Sequence, residues 1–119
     1  MIEEVSPQFA HKFVQEGFAY IDVRTEEECA NGHPSGSVCV PAFWHTGMGM
    51  KANPDFVKQV AQHNPCPSGK NTRLVIGCQM GSRSAAACEW LEESGYTTVF
   101  NVVGGYSSWA RDESLPVER

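Results

Sequence analysis

Apolar positions along the chain recur with two alternating periods. Phe9, Ala10, Phe13 and Val14 form one stripe at helical spacing. Ser6-Pro7 ahead of them offers a capping hydroxyl and a proline at the first helical position, and Gly17 ends the segment. Tyr20-Ile21-Asp22-Val23 reads as a short strand. Thr25 to Glu28 has the Thr-x-x-Glu form of a capping box, which predicts a short helix that Gly32 stops. Val38-Cys39-Val40 is a further strand, closed by Pro41. Residues 43–53 are rich in glycine and read as a loop. Asn53-Pro54 opens a third helix with Phe56, Val57, Val60 and Ala61 on its buried side, ended by Pro65-Cys66-Pro67-Ser68-Gly69. Leu74-Val75-Ile76-Gly77 is a continuous apolar run, as expected of a strand covered on both faces. Ser82 to Ser94 is helical, with Ala87, Trp90 and Leu91 inward and Gly95 as terminator. Thr98 to Val103 is the last strand, and Gly104-Gly105 turns into a short helix bearing Tyr106 and Trp109.

Strands alternating with helices imply an α/β architecture, a mainly parallel sheet with helices on both faces. Ligands of such sheets sit at the carboxyl ends of the strands. The 119 residues fit one domain, 1–119, large enough to bury a core without staples. A net charge of −5 argues against a nucleic-acid or anionic-membrane binder, because no Lys/Arg surplus is present to displace counterions. No run approaches the ~18 apolar residues of a membrane span. Met-Ile-Glu-Glu lacks the character of a signal peptide, so a cytoplasmic protein is expected, with a chloroplast home as the alternative had a transit peptide been trimmed. Five dispersed cysteines, at 29, 39, 66, 78 and 88, predict reduced thiols rather than a disulfide framework.

Chemistry concentrates after the most apolar strand. Cys78-Gln79-Met80-Gly81-Ser82-Arg83-Ser84 places a thiol at a strand end, then a tight loop, then a helix N-terminus. Loop N–H groups turned inward form a nest, and the helix dipole adds partial positive charge. Lowering a thiol's pKa by about two units takes ~2.7 kcal/mol. Hydrogen bonds to a charged group supply ~1.5–3 kcal/mol each. Two inward N–H groups and the dipole would therefore activate Cys78 without a histidine base. The alternative role is a small buried hydrophobe at the end of a core strand. Arg83 would bring a full positive charge to the loop mouth, or else pair structurally with Asp22 or a helix carboxylate.

This sequence resembles the single-domain rhodaneses, and is similar to the small plant members. Four features carry the resemblance in order. They are Asp22-Val23-Arg24, the Glu28-to-Pro41 stretch with Gly32-His33-Pro34-Ser35-Gly36-Ser37, the Cys78-to-Ser84 loop, and Gly104-Gly105-Tyr106-Ser107-Ser108-Trp109. The resemblance implies a rhodanese fold with a five-stranded, mainly parallel sheet. It also implies a sulfurtransferase in which Cys78 takes the outer sulfur of thiosulfate or a related small anionic donor. A Cys78 persulfide then passes that sulfur to cyanide or to a thiol such as glutathione or thioredoxin. No metal or organic cofactor is implied, since the persulfide is the carried group. Arg83, Gln79, Met80, Gly81 and Ser82 are expected to bind the donor. A monomer or weak homodimer is expected.

Two other readings stay open. One is a non-turnover persulfide carrier or regulatory binding module. The other is a Cys-dependent phosphatase or arsenate reductase. Those use Cys-x5-Arg, whereas four residues separate Cys78 from Arg83, a cradle better sized for one sulfur atom. Asp22 and Arg24 follow a strand and would support the site, or form a structural ion pair. Phe43 and Trp44 would wall the pocket, or simply pack. Cys66 and Cys88 are candidate resolving thiols, with Cys88 expected to be buried in its helix. Cys29-x3-His33 and His63-x2-Cys66 have zinc-compatible spacings, but neighbouring prolines restrict them and no metal is expected. His11 on a helix face and His45 on a loop are expected to be solvent-exposed or locally bonded.

Overall fold

Parallel strands need crossovers, and the helices predicted from the apolar stripes supply them. In the computed structural model, which describes residues 2–63, 73–80 and 82–119, the first half of the chain runs β1 (Ile2–Val5), α1 (Pro7–Gln15), β2 (Ala19–Asp22), α2 (Glu26–Ala30), β3 (His33–Pro34) and β4 (Ser37–Cys39). A hairpin of β5 (Phe43–Thr46) and β6 (Gly49–Ala52) follows, then α3 (Phe56–Gln62). The second half is β7 (Arg73–Gly77), α4 (Ser82–Glu93), β8 (Thr98–Val102), α5 (Gly105–Arg111) and β9 (Val117–Glu118).

Five strands build the central sheet in the order β1-β8-β7-β2-β4, and every pairing is parallel. Side chains alternate across it with period two. Ile21, Leu74, Ile76 and Val99 meet Phe56, Val60, Ala87 and Leu91 on one face. Tyr20, Val75, Phe100 and Val102 meet Ala10 and Trp109 on the other. Both faces are thus covered, which is why β7 reads as an unbroken apolar run.

Local signals set the helix ends. The Ser6 hydroxyl accepts the Phe9 N–H at 3.2 Å, with Pro7 in the first turn. The capping box at Thr25 is complete. Its hydroxyl accepts the Glu28 N–H at 3.3 Å, and the Glu28 carboxylate accepts the Thr25 N–H at 3.1 Å. α3 starts at Phe56 rather than at Pro54, because Asn53 is used as a turn residue. Its Oδ1 accepts the Asp55 N–H at 3.0 Å, and its amide donates to the Pro41 carbonyl at 2.8 Å.

Several sequence expectations need correction. Residues 43–53 are mostly not a loop. Phe43–Thr46 pairs antiparallel with Gly49–Ala52, and Gly49 at φ +109° lets the chain reverse. Strand β1 was not expected, since Glu3 and Glu4 break its apolar pattern and three of its four residues are exposed at the sheet edge. Phe9 leaves the helix stripe at 58% exposure, and Ala61 is exposed. His11 is half-buried with its ring edge-on to Trp109 at 5.7 Å. The expectation of reduced thiols also fails at one pair. Cys29 on α2 and Cys39 on β4 are disulfide-bonded, with Cα atoms 6.4 Å apart. A cysteine count is blind to this pairing, because the turn from α2 back into the sheet creates it.

Candidate functional site

Cys78 follows the last residue of β7 at the carboxyl end of the sheet, with four residues between it and Arg83 on the first turn of α4. Gly77 precedes it because a Cβ there would run into the Tyr20 hydroxyl. Cys78 is 1% exposed. Its thiol donates to the Ser84 hydroxyl at 3.4 Å, and that hydroxyl donates to the Asn101 carbonyl oxygen at 2.6 Å. When the sulfur carries charge, the buried Ser84 hydroxyl is the group poised to turn its proton toward it.

The segment after Cys78 is held from the far side by α5. The Tyr106 N–H donates to the Cys78 carbonyl at 2.7 Å, and the Ser107 N–H donates to the Gln79 carbonyl at 3.1 Å. Gly105 makes this clamp possible. It sits at φ +53°, and a side chain there would strike the Cys78 carbonyl. Gln79 is used in the same brace. Its amide N–H donates to the Ser107 hydroxyl at 2.8 Å, and its carbonyl oxygen accepts from Arg24 at 3.3 Å. Met80 lies 69% exposed, with its sulfur accepting the Ser107 hydroxyl at 3.4 Å. Ser82 is exposed, and Gly81 lies outside the described residues.

Asp22 and Arg24 form a buried fork. Arg24 donates through Nε and Nη2 to the Asp22 carboxylate at 3.0 and 2.7 Å, and through Nη2 to the Gly32 carbonyl at 2.7 Å. Its guanidinium lies 4.2 Å from the centre of the Tyr106 ring. Each guanidinium nitrogen of Arg24 thus has a protein acceptor. The pair acts as a strut between the β2 end, the α2–β3 turn and the Cys78 segment, in line with the structural alternative.

Arg83 is paired with a helix carboxylate. Its two terminal nitrogens reach the Glu28 oxygens at 2.6 and 2.9 Å. The Arg83 hydrogen bond, helped by the Thr25 backbone N–H, holds the Glu28 carboxyl down at about 2 against the effect of partial burial. Glu28 in turn keeps Arg83 protonated beyond its ordinary range. The carboxylate that completes the capping box therefore also fixes the candidate anion-binding arginine. The Thr-x-x-Glu motif signalled its first task but not its second.

Arg83 and Glu28 line a cavity of about 590 Å³ with Ser82, Phe43, His45 and Met50. The hairpin delivers the last three, since Phe43 and His45 alternate onto one face and Met50 is paired with His45. Phe43 is fixed by Trp90, with ring centres 5.3 Å apart. Trp44 is corrected. It does not line this cavity but a neighbouring groove with Thr25, Glu26, Glu27 and Pro41, and His45 borders both. His45 and Met50 were missed as site residues because the segment carrying them read as irregular.

The remaining cysteines divide three ways. Cys88 is buried, and burial pushes its thiol up to about 12. Cys66 lies outside the described residues, so its spacing to His63 finds no structural counterpart here. Cys29 has its sulfur bound to Cys39, while the neighbouring His33 ring nitrogen lies 3.0 Å from the Ser37 hydroxyl.

The chain is 42% identical over 114 residues to thiosulfate sulfurtransferase 16, chloroplastic, of Arabidopsis thaliana, covering 96% of this chain and 91% of that one. It is 38% identical to the Arabidopsis rhodanese-like domain-containing protein 15, chloroplastic, and spans 60% of its length. Among solved structures, a rhodanese-related protein from Thermoplasma volcanium superposes with a TM-score of 0.70 at 22% identity, covering 98% of this chain and 97% of that one. That likeness establishes the fold. The rhodanese-like domain family matches residues 6–112, nearly the whole sequence, and the chain belongs to that family.

Proposed function

We propose that the protein is a sulfurtransferase that carries sulfane sulfur on Cys78. One observation carries the reading. A cysteine follows the central strand β7 and a three-residue loop then leads into helix α4, whose first turn brings Arg83 to a cavity of about 590 Å³. The name of the Arabidopsis relative, thiosulfate sulfurtransferase, supports thiosulfate as the donor class. That relative's name also matches a chloroplast home rather than the cytoplasm.

The proposed cycle balances in two steps. The Cys78 thiolate attacks the outer sulfur of thiosulfate, the S–S bond of the donor breaks, and sulfite leaves with the bonding pair. Cys78 then holds a persulfide. In the second step cyanide attacks the terminal sulfur and departs as thiocyanate, or a thiol attacks it and departs as a persulfide, and the Cys78 thiolate returns. Arg83 would meet the anionic part of the donor and the charge that gathers on sulfite. Glu28 limits that attraction, so the cavity offers a local ion pair rather than a net positive hole. Phe43 and Met50 give an apolar, polarisable wall suited to sulfur.

The test is thiocyanate formation from thiosulfate and cyanide, with intact mass measured after thiosulfate alone. Wild type should turn over and gain one sulfur that dithiothreitol removes. Cys78→Ala should lose at least 10³-fold in kcat, the scale expected when a covalent nucleophile is removed. Equal rates in both proteins would take Cys78 out of the mechanism. Persulfide formation without turnover would instead favour the carrier reading.

A further inference from the structure

The mechanism leaves one pair of sulfur atoms unused. Cys29 and Cys39 join α2 to β4 across only 10 positions of sequence, and they open onto a cavity of about 250 Å³ of their own. Glu26, Ala30, His33, Ser37 and Arg119 complete its walls, and none of them lines the cavity beside Arg83. We propose that Cys29–Cys39 is a second, redox-active sulfur site, a dithiol/disulfide couple that thiol reductants reach through this cavity and that tethers helix α2 to the sheet.

Accessibility favours Cys39 as the sulfur attacked. Cys29 is 5% exposed, whereas Cys39 is half-buried. Glu26, His33 and Arg119 give the cavity a polar lining of mixed charge, which admits a small hydrophilic thiol. Both redox states are accommodated. Once reduced, the Cys39 S–H has the Arg24 and Thr25 carbonyl oxygens within 3.6 and 3.8 Å as acceptors, so opening the bond strands no buried donor there. A closure this short also restricts the unfolded chain less than a long one does, which makes it easier to give up.

The exchange balances as follows. A reductant thiolate attacks the Cys39 sulfur, the Cys29–Cys39 bond breaks, and Cys29 leaves as a thiolate that takes a proton from water. A second reductant thiolate then attacks the reductant sulfur of the mixed disulfide. Cys39 is released and protonated, and the oxidised reductant departs as a disulfide. Two electrons and two protons have reached the pair. Peroxide or oxidised glutathione drives the reverse.

The tether acts on α2 because Cys29 sits in that five-residue helix and Cys39 in the sheet. Thr25 and Glu28 hold the start of the same helix, and Cys29 anchors its end. Reduction removes the covalent anchor at the end of the helix and leaves α2 held by non-covalent contacts, the capping box and the Glu28–Arg83 pair among them. None of this depends on which compound Cys78 handles.

The experiment equilibrates the intact protein across ratios of reduced to oxidised dithiothreitol, then alkylates with iodoacetamide and maps the peptides by mass. Hydrogen exchange of the α2 amides is read at both extremes. Cys29 and Cys39 should become alkylated together in one two-thiol transition while the circular dichroism stays native. Exchange of the α2 amides should rise by about tenfold in the dithiol form. The variant Cys29→Ala/Cys39→Ala should show no transition and exchange like the reduced wild type. Complete alkylation at every ratio would overturn the proposal, as would protection that ends only when the fold is lost. Unchanged α2 exchange across a clean transition would overturn it equally, because the bond would then hold nothing.

Discussion

At the scale of single residues, Glu28 serves two structures at once. It closes the capping box of α2 and grips Arg83 with both oxygens. Its folded-state pKa, about 2, lies below its ordinary 4.5. The sign follows directly. Glu28 contributes stability fully above about 4.5 and loses that contribution as pH falls from there through about 2. The pair is partly open to solvent, so its worth is ~0.5–1 kcal/mol rather than the full value of the shift. Urea titrations of wild type and Glu28→Gln should differ by about that amount at pH 6 and converge near pH 2. Glutamine can still complete the capping box, so the comparison isolates the charge. Curves that coincide at pH 6 would show that the ion pair adds nothing.

Among the secondary elements, the short helix α5 does the positioning. Its first backbone N–H groups, not its side chains, fix the carbonyls of Cys78 and Gln79. Gly105→Ala should therefore be costly twice over, from a left-handed backbone and from contact with the Cys78 carbonyl. A loss of ~2–3 kcal/mol is expected in a denaturant titration, with a larger proportional loss of any Cys78 reactivity. A loss under ~0.5 kcal/mol would mean that the clamp yields easily. Sequence reading reached most of these elements because their signals are local. Ser6-Pro7, Thr25-x-x-Glu28 and the run Leu74–Gly77 each state their own structure. β1 and the β5–β6 hairpin escaped it for a shared reason: their residues are largely exposed, and pairing partners rather than apolar periodicity define them. The candidate site divides in the same way. Cys78 and Arg83 were legible from a loop followed by a helix start. His45 and Met50 arise only when distant segments meet, and so does the choice of Glu28 as the helix carboxylate that Arg83 was expected, as one alternative, to pair with. The Cys29–Cys39 bond belongs with these, for no spacing rule connects a five-residue helix to the next sheet strand.

Across the whole molecule, the two apolar clusters share one sheet, so opening either exposes the other. Cys88 sits fully inside the cluster formed with α4, and its thiol is held near 12. It should therefore report global unfolding. At pH 8 its alkylation in the native protein should be slow and should accelerate with urea in step with the loss of circular dichroism. The raised value has a further sign. Because the fold favours the neutral thiol, Cys88 costs no stability below about 9, its ordinary value, and costs progressively more as pH climbs from 9 toward 12. Fast labelling under native conditions would mean that α4 opens independently of the rest.

The β5–β6 hairpin has a consequence for how this cavity could diversify. Its four-residue strands present alternate side chains to opposite sides, so the cavity receives Phe43 and His45 but not Trp44, with His45 also reaching the rim of the Trp44 groove. One inserted or deleted residue ahead of Phe43 would exchange these sets wholesale, putting an indole and a hydroxyl where a phenyl and an imidazole now stand. The sheet, the cysteine and the arginine would be untouched. Register in this one ribbon is therefore a separable dial for choosing among donors and acceptors, and a single-codon indel is enough to turn it.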